Sequence, residues 1–144
     1  MQLALKGQRA KGGKMEMKNA FTLLVADSNP YVRSFLQREL AGEGYQVRVA
    51  GTSKEIFNCF RSGCPPDLLV MDLDMPVKIG LEVLRRLYNL VPRIPVVVYT
   101  HHMEYDHHAD AQGVDIFIEK NGNPIPLKNA IADVLHSHHT HCIE

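Results

Sequence analysis

Two carboxylates, a hydroxyl and an ammonium each stand where a short apolar run of this sequence ends. Asp27, followed by Ser28, closes the run at 21–26; Asp72 closes 68–71; Thr100 ends 96–100; Lys120 closes 114–119. If these runs are neighbouring strands, the four groups meet at one edge. Carboxylates there can hold a hard divalent ion, and a hydroxyl and an ammonium can hold phosphoryl oxygens. Asp74, two residues beyond Asp72, adds another acid near the same edge.

The segments between the runs read as helices. Pro30 suits a first helical turn, and Val32, Phe35, Leu36 and Leu40 recur at helical spacing until Gly42 and Gly44. Residues 45–50 alternate as a strand. Ser53 is the expected cap of a short helix with Ile56, Phe57 and Phe60 inward. Pro65 and Pro66 break the chain before the strand at 68–71, and Leu81, Leu84, Leu87, Tyr88 and Val91 mark a third helix. The strand at 96–100 is the richest in β-branched residues. A polar helix is expected from Met103 to Gln112, ended by Gly113; Pro126 opens a last helix with Leu127, Ala130, Ile131, Val134 and Leu135 inward. Five strand–helix units rich in Val, Ile and Leu predict an α/β fold, a parallel sheet covered on both faces. Ligands in such sheets bind beyond the carboxyl ends of the strands, where the four groups lie.

A chain of 144 residues is one domain's worth. Its 16 basic and 16 acidic residues balance, but residues 1–20 carry a net +4, so the remainder carries −4. An acidic body argues against direct nucleic-acid binding. No apolar run approaches the roughly 20 residues of a membrane span, and no signal-type apolar stretch follows the N-terminal charges, so a cytoplasmic protein without membrane insertion is expected. Cys59, Cys64 and Cys142 lack a CxxC spacing and read as reduced thiols. The expected division is a flexible basic extension over 1–20, a folded domain over 21–138 and a His-rich tail over 139–144. His101, His102, His107 and His108 lie among Glu104, Asp106 and Asp110, and His136, His138, His139 and His141 lie near Cys142. A solvated polar helix is the plain reading of the first group, with a metal site as the alternative; an exposed disordered tail explains the second as well as adventitious binding of zinc, nickel or copper does.

Residues 21–138 resemble the receiver domain of two-component response regulators. The carrying motifs are Leu-Leu-Val-Ala-Asp-Ser-Asn-Pro at 23–30, Pro-Asp-Leu-Leu-Val-Met-Asp-Leu-Asp-Met-Pro at 66–76, Gly-Leu-Glu-Val-Leu at 80–84, Pro-Val-Val-Val-Tyr-Thr at 95–100 and Gly-Val-Asp-Ile-Phe-Ile-Glu-Lys at 113–120. The resemblance implies a flavodoxin-like (βα)5 doubly wound five-stranded parallel sheet of strand order 2-1-3-4-5. It implies that Asp72 is the phosphoacceptor, that Asp27 is the first of an acidic pair that helps hold magnesium, and that Thr100 senses the phosphoryl group. Phe117 falls at the aromatic switch position and Lys120 at the conserved lysine. A carboxylate nucleophile can form an acyl phosphate, and magnesium neutralises charge between nucleophile and phosphoryl group. Movement of Thr100 would free space for Phe117 and shift the surface of the last two βα units.

The departures from the family pattern carry information. Its second acid is Ser28 here, a neutral hydroxyl, so weak magnesium binding is expected, with Asp27, Asp72 and Asp74 (through backbone or side chain) as ligands. Ser28 reads equally as a helix cap or as a member of the metal shell. His101 stands after Thr100, where the family has a small residue, and Asn121 after Lys120 replaces a proline, so a trans peptide is expected there. The expected function is a stand-alone receiver of a two-component system or phosphorelay, catalysing only its own phosphorylation and dephosphorylation. Its expected partners are a sensor histidine kinase or phosphotransfer protein and a downstream protein. Two other readings stand beside it. A pseudo-receiver, never phosphorylated and acting as a protein-interaction module, is suggested by Ser28 and His101. An aspartate-nucleophile phosphatase is suggested by Asp72-Leu73-Asp74, although the haloacid-dehalogenase-like phosphatases carry that motif at their first strand and here it falls at the third.

Overall fold

Runs of Leu, Val and Ile too short for helices pair side by side in the computed structural model, which describes residues 21–90 and 94–143, with side chains as far as His138. The strands are β1 (Thr22–Ala26), β2 (Gln46–Ala50), β3 (Leu68–Met71), β4 (Val96–Thr100) and β5 (Ile116–Glu119). The helices are α1 (Pro30–Ala41), α2 (Ser53–Arg61), α3 (Val77–Leu90) and α4 (Ile125–Ile143). All pairs are parallel, in the order β2-β1-β3-β4-β5. This is the flavodoxin-like arrangement expected, with β3 and β4 buried along their whole length.

Alternate strand residues point to opposite faces, and each face has its own core. Leu24, Leu69, Met71, Val96 and Val98 pack with Ile56 and Phe57 of α2 and with Leu81, Val83, Leu84 and Leu87 of α3. Leu23, Val25, Leu68, Val70, Val97 and Tyr99 pack with Leu36 and Leu40 of α1 and with Leu127, Ile131 and Leu135 of α4. Each buried aliphatic side chain contributes about 1.5–3 kcal/mol, so these two layers hold the strand ends in fixed register.

Both N-caps fall one residue away from expectation. Asn29 caps α1, its side chain accepting from the Tyr31 and Val32 amides; Ser28 does not. Thr52, rather than Ser53, caps α2 by accepting from Glu55 N at 3.2 Å. Pro30 has no N–H to cap, so the side chain just before it serves the next free donors.

The expected polar helix between β4 and β5 is instead two 3-10 segments, Met103–His107 and Ala109–Ala111. Of their residues only Ala111 is buried. Only Tyr105 and Ala111 of these segments pack against the core, too little apolar contact to stabilise a short helix rich in His and Asp. The backbone of α4 runs on to Ile143, past residue 138. The extension at 1–20, Val91 and the side chains of His139, His141 and Cys142 lie outside the described residues. Among the described residues no helix is long and apolar enough to cross a membrane.

The loop that follows Asp72 is set by a glycine. A Cβ on buried Gly80 of α3 would lie 2.9 Å from Leu73 Cα and 3.0 Å from its carbonyl carbon, closer than real Cβ contacts come. The first turn of α3 can approach the Asp72–Leu73 backbone only because that atom is missing. Gly80→Ala should therefore lower the unfolding free energy by about 1–3 kcal/mol, as overpacking does, measured by urea denaturation. An unchanged midpoint would show that α3 can move away without penalty.

Candidate functional site

The ladder runs one residue beyond the strands and fixes the backbone of the site. Asp27 N donates to Ala50 O at 3.1 Å, Asp72 N to Ala26 O at 3.0 Å and Lys120 N to Thr100 O at 2.9 Å. Asp27, Asp72, Thr100 and Lys120 therefore meet at the carboxyl edge. Asp27 is 3% exposed, Asp72 7% and Thr100 0%.

Asp72 Oδ1 accepts from the Thr100 hydroxyl at 2.7 Å and from Asp74 N at 3.1 Å, and its Oδ2 accepts from Lys120 Nζ. The same ammonium donates to Asp27 Oδ2 at 2.8 Å, and Asp27 Oδ1 accepts from Asn29 N at 2.8 Å. Burial by itself would raise the Asp72 carboxyl, but the hydrogen bonds from Lys120 and Thr100 and the lysine's charge outweigh it and hold the group below its ordinary 3.8. Burial would likewise lower Lys120, yet its bonds to Asp27 and Asp72 raise it above 10.5. Asp72 is thus an ionised, partnered carboxylate at neutral pH.

Ser28 is exposed and donates its hydroxyl to Asp74 O at 3.0 Å, linking the loop after β1 to the loop after β3. Only the backbone of Asp74 faces Asp72. Its side chain is 65% exposed and lies 3.9 Å from His102 Nε2. The His102 amide in turn donates to Thr100 Oγ1 at 3.2 Å. His101 lines a neighbouring cavity of about 390 Å³ with Val32, Phe35, Tyr99, Lys120, Asn121 and Gly122. The Lys120–Asn121 peptide is trans; the one cis peptide among the described residues is Met75–Pro76. Phe117 is half-buried against the α2–α3 core and pairs with Val98. Thr100 stands two residues on from Val98, on the same face of β4.

The donor set suits a hard divalent ion. Asp27 and Asp72 each bring one oxygen to a single ammonium, so they are close enough to share a cation, and two buried acids against one lysine leave a formal charge of −1. The Asp74 carbonyl is a neutral oxygen at the same edge, already engaged by Ser28. The Asp74 carboxylate does not join the pair: among the described residues no three His, Cys, Asp or Glu side chains form a metal-sized group. The histidines around the 3-10 segments sit beside acids close in sequence, His107 by Asp106 at 3.4 Å and His108 by Asp110 at 3.9 Å. Residue types alone did not single out Asn29 and Arg33, which hold Asp27 through its Oδ1 and its carbonyl; neither type is unusual on a helix's first turns.

The chain is similar to known proteins in sequence and in fold. The family model for the response regulator receiver domain matches residues 23–132. The transcriptional regulatory protein AruR of Pseudomonas aeruginosa is 31% identical over 125 residues, 80% of this chain and 51% of AruR. The chain thus spans about half the length of that relative. Among solved structures, the response regulator TrrA from Thermotoga maritima in complex with Mg2+-BeF is 28% identical with a TM-score of 0.73, covering 79% of this chain and 98% of TrrA. TrrA in complex with the histidine kinase ThkA is 29% identical with a TM-score of 0.72, covering 80% and 98%.

The two shifted groups determine a stability profile. Asp72 lies below its ordinary 3.8, so its contribution is present above that value and is lost as pH falls through the lower folded value. Lys120 lies above 10.5, so its contribution is present below that value and is lost as pH rises through the raised folded value. Tyr45, held up at about 12 by burial and by Glu43, adds an alkaline loss of the same sign, so the diagnostic is a difference between variants. Lys120→Met should leave two buried carboxylates without their cation, cost about 3–5 kcal/mol at neutral pH, and shrink both limbs of a urea-midpoint-against-pH curve. A variant curve parallel to wild type would show that other groups set the profile.

Proposed function

The chain belongs to the response-regulator receiver domain family, and from that premise we propose that Asp72 accepts a phosphoryl group from a phosphohistidine of a sensor histidine kinase or phosphotransfer protein. The observation that carries this reading is the convergence of Thr100 and Lys120 on the two oxygens of one buried, ionised aspartate. TrrA, captured with Mg2+-BeF and with its kinase ThkA, supports the choice of donor and of ion.

In this mechanism an Asp72 carboxylate oxygen attacks phosphorus, the donor's P–N bond breaks and an acyl phosphate forms. Lys120 keeps Asp72 ionised before attack and afterwards pairs with the transferred oxygens. Thr100 turns its hydroxyl from Asp72 Oδ1 to a phosphoryl oxygen. That turn vacates space on the face of β4 that Phe117 shares, and the surface carrying β5, α4 and the 3-10 segments carries the signal. Asp27 and Asp72 would hold magnesium, which would supply the positive charge that lets a carboxylate meet a phosphoryl group. The protein turns over no other substrate; it catalyses only its own phosphorylation and dephosphorylation. A second reading, a pseudo-receiver that only binds partners, is favoured by Ser28 and by the turn of the Asp74 carboxylate toward His102.

Acetyl phosphate with magnesium should raise the intact mass by one phosphoryl group, and Asp72→Asn should abolish the rise. Labelling that survives in Asp72→Asn overturns the acceptor assignment, and no labelling of wild type selects the pseudo-receiver. Ser28→Asp should lower the magnesium dissociation constant. It should also lower the metal-free melting temperature, because a carboxylate replaces the donor to Asp74 O and adds charge beside Asp27. Unchanged magnesium affinity would mean that the site is complete without a second acid.

A further inference from the structure

Asp27 is among the most constrained residues of the molecule. Its N–H goes to Ala50 O at 3.1 Å, its Oδ1 accepts from Asn29 N and its Oδ2 from Lys120. Its carbonyl oxygen, the remaining polar atom, accepts from Arg33 Nη1 at 2.7 Å. Arg33 lies six residues on, half-buried on α1, and forms no ion pair among the described residues. Its guanidinium rests on Gly51: a Cβ there would lie 2.6 Å from Nη1 and 3.1 Å from Cζ. Gly51 is not among the positive-φ glycines, Gly44 and Gly122. Its backbone conformation does not call for glycine, so what the residue provides is room. Gly51 directly follows Ala50, whose carbonyl takes the Asp27 amide. The end of β2 therefore holds Asp27 by one hydrogen bond and forms the floor under the arginine that holds it by another.

We propose that Arg33, seated on Gly51, is a positioning residue for Asp27 and so for the carboxylate pair that meets the cation and the phosphoryl group. The role rests on the phosphoacceptor reading. Arg33 acts by fixing the peptide from which the Asp27 carboxylate projects and by placing a permanent positive charge on that peptide. Both keep Asp27 Oδ2 beside Lys120 and close to Asp72 despite their like charges. The guanidinium comes nearest Gly51 through Nη1, the atom that holds the Asp27 carbonyl, and a Cβ at position 51 would displace it.

The prediction is that two different substitutions reproduce one defect. In the full chain, Arg33→Met removes the donor, and Gly51→Ala keeps it but displaces it. Each should weaken magnesium binding about tenfold, the size typical of losing a partner that orients a metal ligand, and should slow acetyl phosphate labelling in parallel. The double variant should be no worse than the more affected single one, because the same contact is lost in each. Arg33→Lys, which restores a cationic donor, should recover part of the affinity. In metal-free protein, hydrogen exchange at the Asn29 amide, which reports the Asp27 side chain, should quicken in both single variants.

Lower melting temperatures with unchanged magnesium affinity and Asn29 exchange would reduce Arg33 to a tie between α1 and β1 and overturn the proposal. Additive defects in the double variant would overturn it equally. If wild type binds magnesium but is not labelled, the phosphoacceptor reading fails, while the dissociation constants and exchange rates still decide the role of Arg33. If wild type binds no magnesium, the Asn29 exchange alone decides it.

Discussion

One ammonium shared by two buried carboxylates organises this molecule. Lys120 bonds both Asp27 and Asp72, residues that follow different strands, from the end of a third. Two acids brought to one ammonium repel each other, and burial alone would raise the Asp72 carboxyl. The lysine reverses the balance: it holds Asp72 ionised and is itself held protonated. The oxygens of the two carboxylates at the same edge are the ligands a hard cation takes. Nucleophile, cation attraction and phosphate recognition thus follow from one arrangement.

That arrangement depends on strand ends being held more rigidly than loops ordinarily are. The parallel ladder continues past the last strand residues, so Asp27, Asp72 and Lys120 are each anchored by a backbone bond before their side chains do anything. Two glycines then admit close approaches that no other residue permits. Gly80 lets α3 sit on the Asp72–Leu73 backbone, and Gly51 lets Arg33 bring its guanidinium against the end of β2, beside Asp27. Both are used for space rather than for backbone conformation, which distinguishes them from Gly122, whose φ of 89° shapes the turn after Lys120.

The rim of the site is less constrained than its floor. Ser28 gives its hydrogen to the Asp74 carbonyl, joining two loops directly where a charged residue would instead face the cation. The Asp74 carboxylate is left outside, near His102, whose amide is tied to Thr100. The side of the domain that carries signals in the proposed mechanism is lightly built, because two 3-10 segments with one buried residue stand where a helix was expected. Few buried contacts mean a low local cost of rearrangement, which suits a surface that must respond to a hydroxyl moving a short distance.

The sequence by itself determined the fold class, the two-faced core and the identity of the four central side chains. All of these follow from local signals: β-branched runs, helical spacing, and polar residues at run ends whose pairing a parallel sheet leaves little choice about. The departures at Ser28 and Asn121 were equally legible, because each is a change of residue type at a readable position. Only the tertiary structure decided the rest. It gave Asn29 rather than Ser28 the cap of α1, turned the Asp74 carboxylate toward His102, replaced a helix with 3-10 turns and laid Arg33 on Gly51. The turn of Asp74 toward His102 and the seat of Arg33 on Gly51 depend on the distances at which atoms remote in sequence meet in the folded chain. Residue type and spacing carry no record of such distances; the packing of helices onto the sheet sets them.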